Sequence, residues 1–323
     1  MPYTMIARKS LSLPVSLVLS FGFGMIFGVA VQKYYGLGNL LRTAGINDHR
    51  PSPRAFTPSR IPVNVSDELP EAVQGKLSLF ILAGQSNMSG RGALPAEQAI
   101  NSRVFVFGND YRWHLAREPI DAPDGQVDEV SLDLEAGYGP GLAFALSLLQ
   151  RSSVVAIGLI PCAKGSTSIA EWQRHLSDRT LYGSCLKRVR AATTMGEVAG
   201  VLFFQGETDA VDPDWDRSKS PAALAYAHEF GRFINDLRGD LSLPNLPLVY
   251  AQIGTNTAPQ LFPNWDVVKA QQETVELPCA AMIRTDDLPL RDTVHFTMES
   301  FRTIGARYAE AVSKLTDSVG HCR

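Results

Sequence analysis

The chain lacks an excess of either charge. Its 323 residues hold 30 Lys plus Arg against 33 Asp plus Glu, a formal net charge of −3, and no basic block or aromatic–basic interleaving occurs. That balance removes the electrostatic footprint of a nucleic-acid binder, so no nucleic-acid partner is expected. Cysteine is scarce: Cys162, Cys185, Cys279 and Cys322 are the only four. None forms a CxxC pair and none has a histidine at ligand spacing, which speaks against a zinc site. An even count allows two disulfides in an oxidising compartment and equally fits four buried thiols in a reducing one. Internal repeats and low-complexity tracts are also missing.

Long apolar runs are missing too, apart from one. Residues 11–31, LSLPVSLVLSFGFGMIFGVAV, carry no charge and lie between Arg8-Lys9 and Lys33. A helix crosses a bilayer with roughly 17–25 residues, and proline and glycine are tolerated there. A cleaved signal peptide is the alternative, since Gly28-Val29-Ala30 is a small-x-small site, but its apolar core would span only ~7–15 residues. The expectation is a signal anchor, with residues 1–10 as a cytosolic tail. Residues 32–75 are rich in proline, arginine and serine and read as a stem, carrying the sequon Asn64-Val65-Ser66.

What the remainder, 76–323, does have is alternation. LSLFILAG, RVFVFG, VVAIGLIPCA, AGVLFFQGETDA, LPLVYAQIG and AAMIRT read as strands. Between them GPGLAFALSLLQR, SIAEWQRHL, PAALAYAHEFGRFINDLRG and NWDVVKAQQETVEL read as helices, and a last helix follows RDTVHFT. Pro140 is placed at a first helical position and Gly239 at a helix stop. The prediction is one α/β domain with a mainly parallel sheet and helices on both faces. In such a sheet ligands bind beyond the carboxyl ends of the strands, which selects GQSNMSG, PCAKGSTS, QGETDA and QIGTNT.

Within GQSNMSG, Ser86 follows a buried strand in a turn that offers approach from above. A serine there is more often a cap than a nucleophile, and it needs a base. Position 88 is methionine, so this is no G-x-S-x-G elbow. Of six histidines, His49 lies in the stem and His321 at the C-terminus, while His114, His175 and His228 have no acid in a suggestive loop. His295 differs, because Asp292 precedes it by three residues: one segment carries both a general base and the carboxylate that would orient it. Asp292 as a plain helix cap remains compatible with that role. Trp113, Trp172, Trp215 and Trp265 could line a sugar cleft, with burial the commoner role. Glu207 and Asp209 read as supporting acids and Arg91 as a solvated loop residue.

GQSNMSG, PCAKGSTSIAEW, QGETDA and DTVHFT, in that order, resemble the SGNH-type hydrolase superfamily, and more closely its carbohydrate esterase family 6 and sialate O-acetylesterase-like branch, across residues 76–315. The resemblance implies a three-layer α/β/α sandwich and hydrolysis of O-acetyl esters, often on sugars, without a metal or organic cofactor. It implies Ser86 as nucleophile, His295 as base and Asp292 as its partner. Gly165 would present a backbone N–H to the oxyanion, and relatives usually have a second glycine where this chain has Ser166. Gln205, Gln85 and Asn87 are further candidates for oxyanion or substrate contacts. The expected protein is a serine esterase for acetylated carbohydrate, held in a Golgi or other endomembrane with its catalytic domain lumenal, or secreted after cleavage. A silent carbohydrate-binding protein and an esterase for lipid or small-molecule esters are the alternatives. The oligomeric state is not legible.

Overall fold

Eight apolar or small residues, Leu77–Gly84, form β1, buried at every position but Ser78. Burial on both sides is expected of a central parallel strand, and β1 lies in the middle of seven. The computed structural model describes residues 69–98, 100–211, 221–317 and 322. The other strands are β2 (Val104–Phe107), β3 (Trp113–Leu115), β4 (Ala156–Pro161), β5 (Gly196–Phe204), β6 (Leu248–Ala251) and β7 (Ala280–Ile283), ordered β3-β2-β4-β1-β5-β6-β7. All neighbours pair in parallel except β2 with β3. The sheet is therefore mixed, with one short antiparallel edge strand that the sequence pattern did not reveal.

The helices are α1 (Ser86–Ser89), α2 (Gly141–Arg151), α3 (Leu181–Ala192), α4 (Pro221–Leu224), α5 (Tyr226–Leu241), α6 (Trp265–Glu273) and α7 (Met298–Asp317). Adjacent residues of β5 show how both faces are covered. Phe204 joins the cluster containing Phe80, Leu82, Leu142, Phe144, Phe301 and Tyr308, under α2 and α7. Phe203 points the other way, stacking on Phe230 of α5 at 4.8 Å and meeting Trp172 edge-on at 6.1 Å. The alternation is the two-residue period of a strand written in aromatic rings.

Several local expectations shift. SIAEWQRHL yields only a 3-10 turn, Ile169–Trp172, closed by a capping box between Ser168 and Glu171. Pro140 is the N-cap of α2 instead of its first residue. α5 runs through Gly239 and stops when Ser242 takes the left-handed conformation (φ 57°). α3 was not anticipated. Its buried face includes Ser184 and Arg188, which interrupt the apolar stripe that marks a helix in sequence.

The cysteines pair Cys162 with Cys185 and Cys279 with Cys322, each with Cα atoms 5.3 Å apart. The first staples the end of β4 to α3 across 23 residues, a closure worth about 3 kcal/mol in the chain-entropy picture. The apolar span 11–31 and the stem through residue 68 lie outside the described residues. Among the described residues no helix is long and apolar enough to cross a membrane. At the far end of the expected stem, Leu69 is buried and Glu71–Val73 forms a 3-10 turn.

Candidate active site

β1 ends at Gly84, and its backbone must turn there against β5. Gly84 has φ 128°, and a Cβ at this position would overlap the Phe204 carbonyl oxygen. Only glycine meets both demands. The chain is pinned one residue later, where the Gln85 N–H donates to that same oxygen at 2.8 Å. A single helical turn, α1, then opens with Ser86. Ser86 is 5% exposed, so it sits recessed at the carboxyl end of the central strand instead of on an open turn.

His295 reaches this serine from the loop between β7 and α7. Its Nε2 lies 3.0 Å from Ser86 Oγ, and its Nδ1 lies 2.9 Å from Asp292 Oδ2. The other Asp292 oxygen accepts from the backbone N–H groups of Val294 (3.0 Å) and His295 (2.9 Å). Asp292 thus caps its own loop and contacts the imidazole at once. Partial burial would raise its pKa, but the hydrogen bond and charge of His295, with the two N–H donors, outweigh that and bring it down to about 2. A fixed carboxylate makes Nδ1 the protonated nitrogen and leaves Nε2 to accept from the serine hydroxyl.

The loop after β4 forms one wall. A Cβ on Gly165 would lie 3.6 Å from that of Ser86, so this glycine borders the serine. Its N–H, however, donates to Asp133 Oδ2 at 2.9 Å. The expectation of an open N–H there is not met, because Asp133 reaches in from the loop before α2. The same oxygen accepts from Ser89 Oγ (2.8 Å) and Arg91 Nη2 (2.9 Å). Arg91 is buried in this ion pair, not solvated. Ser166 has φ 61°, the conformation that makes glycine the easier residue at this point.

The loop after β5 forms the opposite wall. Gln205 Nε2 donates to Thr167 O (2.8 Å), to Gln85 Oε1 (3.2 Å) and to Asp209. Gln85 Oε1 also accepts from the N–H groups of Gly206 and Thr208. Asn87 Nδ2 donates to Glu207 Oε1 (2.6 Å) and Val294 O (3.0 Å). The amide donors of Gln205 and Asn87 are committed within the protein, so as found neither faces an open oxyanion position.

The family model for carbohydrate esterase, sialic acid-specific acetylesterase matches residues 76–314. The chain belongs to this carbohydrate esterase family. As a member it is a carboxylic ester hydrolase of the acetylesterase type. It is 34% identical over 254 residues to a probable carbohydrate esterase of Arabidopsis thaliana, covering 72% of this chain and 89% of that one. The crystal structure of an Arabidopsis thaliana protein superposes with a TM-score of 0.63 at 32% identity, over 73% of this chain and 98% of that one. A carbohydrate acetylesterase from Xanthomonas citri shares the fold, with a TM-score of 0.57 at 20% identity over 74% of this chain and 56% of its own.

In this esterase the remaining expected residues play other parts. Trp172 is fully buried, and Trp265 is buried with its indole N–H donating to Gly254 O at 2.7 Å. Trp113 packs on Phe107 at the sheet edge, and Trp215 lies outside the described residues. His114, set aside for want of an acid, bonds Asp110 at 2.8 Å on that edge. Asp133 is the site residue that sequence reading missed. No spacing or motif marks it, and Arg91, its partner, reads in sequence as a solvated loop residue. Among the described residues no group of three or more His, Cys, Asp or Glu is arranged to hold a metal ion.

Proposed function

We propose that the chain is a serine esterase that removes O-acetyl groups from carbohydrate through an acyl-serine intermediate. One observation carries this: the unbroken chain Ser86–His295–Asp292, with 3.0 and 2.9 Å links joining residues 209 positions apart beyond the central strand. His295 Nε2 takes the Ser86 proton as Oγ attacks the acetyl carbonyl carbon. Asp292 stabilises the imidazolium so formed. The protonated imidazole then gives its proton to the departing sugar oxygen. Water, activated by the same nitrogen, releases acetate from the serine.

The developing oxyanion needs donors aimed at it, each worth about 2.7–4 kcal/mol. The Ser86 N–H, in the first turn of α1, is one that no intrahelical bond uses. The two disulfides, together with the apolar run 11–31 and the proline-rich stem, support a catalytic body held by a signal anchor in the lumen of the secretory pathway. Measuring acetate release from a panel of acetylated polysaccharides tests the reading. The wild type is expected to be active, and Ser86→Ala or His295→Ala to lose at least about 1,000-fold in kcat while staying folded. Near-normal turnover by pure Ser86→Ala protein sinks the assignment.

A further inference from the structure

We propose that Asn87 and Glu207 form a positioning bridge for the histidine: Glu207 orients the Asn87 carboxamide, and Asn87 holds the backbone of Val294, fixing His295 above Ser86. The inference rests on the Ser86–His295 reading above. Asn87 follows Ser86 in α1 and is fully buried. Its Nδ2 meets two acceptors, Glu207 Oε1 at 2.6 Å and Val294 O at 3.0 Å. Two acceptors admit only the NH2 edge of the amide, so its orientation is dictated. Val294 lies between Asp292 and His295. Its N–H is held by Asp292 and its carbonyl by Asn87, so both backbone polar groups beside the base are clamped.

Other ties hold the flanks of this loop. Thr257 Oγ1 donates to Thr293 O at 2.9 Å, Arg291 donates to Arg91 O, and Phe296 packs on Phe204 at 5.7 Å. The Asn87 bond alone among these starts at the residue next to the nucleophile, so serine and histidine are carried by one linked unit. Glu207 is an expensive way to make a merely structural contact. It is 1% exposed, its Oε2 has no hydrogen-bond partner among the described residues, and burial raises its pKa against the pull of Asn87 and His295. The bridge also needs the amide unmodified: Asn87-Met88-Ser89 is a sequon in sequence, but its asparagine is inaccessible in the folded chain.

The test is kcat, KM and Tm for acetate release by the full chain and by N87D, E207Q and N87D/E207Q. In N87D a carboxylate faces Glu207 and the Val294 carbonyl, and kcat is expected to fall on the order of 100-fold with KM nearly unchanged. E207Q keeps an acceptor for Asn87 and should retain kcat within about threefold. In N87D/E207Q the glutamine amide rejoins the two side chains, restoring Tm, but nothing donates to Val294, so kcat stays low. Recovery of kcat together with Tm in the double variant overturns the bridge. So does normal kcat in N87D when wild-type turnover depends on Ser86. If the wild type shows no Ser86-dependent turnover, the nucleophile reading fails and the bridge with it. Should N87D not fold, N87A removes the donor without adding charge and is read by the same criteria.

Discussion

On the β4 side of Ser86, Asp133 lies against Arg91 and accepts from Ser89 and Gly165. On the β5 side, Glu207 and Asp209 are as deeply buried, yet neither has an ion-pair partner among the described residues. Burial pushes all three carboxyls upward. At Asp133 the Arg91 charge and the donors outweigh it and hold the pKa below the ordinary range. At Asp209 burial prevails over the bonds from Gln205 and the Ile169 N–H and carries it to about 7. The contrast shows that a cation, more than depth, decides whether a buried acid stays charged. One wall is an ionic clamp on a glycine N–H. The other is a lattice of amides and weakly acidic carboxyls that fixes side-chain positions.

Arg91→Ala breaks the contrast most severely. It leaves Asp133 buried without its cation, and a loss of about 3–5 kcal/mol in unfolding free energy is expected from urea titration. A loss below about 1 kcal/mol would mean that the ion pair does not hold that wall.

pH separates the walls more gently. Asp133 and Asp292 have folded pKa values below their ordinary 3.8, Asp292 at about 2, so their contribution is present above 3.8 and is lost as pH falls through the lowered values. Asp209, at about 7, and Glu118, at about 8 beside the start of α2, are raised. Their contribution is present below about 4 and is lost as pH climbs through 7 to 8. Tm should therefore decline from pH 5 to pH 8, and Glu118→Gln should flatten the decline. A Tm that rises over this range in the wild type contradicts the raised values.

The strands that build the sheet were legible because β1 and β4 are apolar runs ending in glycine or proline and β5 closes on the apolar run Val201–Phe204, and position alone then marked their ends as the site. Asp292 and His295 were legible because both lie in one seven-residue segment. The Arg91–Asp133 clamp was not, since its halves are separated by 42 positions and Asp133 sits in a loop without periodicity. α3 was hidden by Arg188, whose buried guanidinium bonds Asn109, Pro161 and Asp128. A polar residue satisfied by distant partners looks, in sequence, like a solvent-facing one.

Peptide mapping by mass spectrometry after treatment with a fluorophosphonate tests the nucleophile most directly. The expected result is a single phosphonate adduct on Ser86 that disappears in His295→Ala. An adduct on a different serine, or none on protein that releases acetate, would contradict Ser86 as the nucleophile.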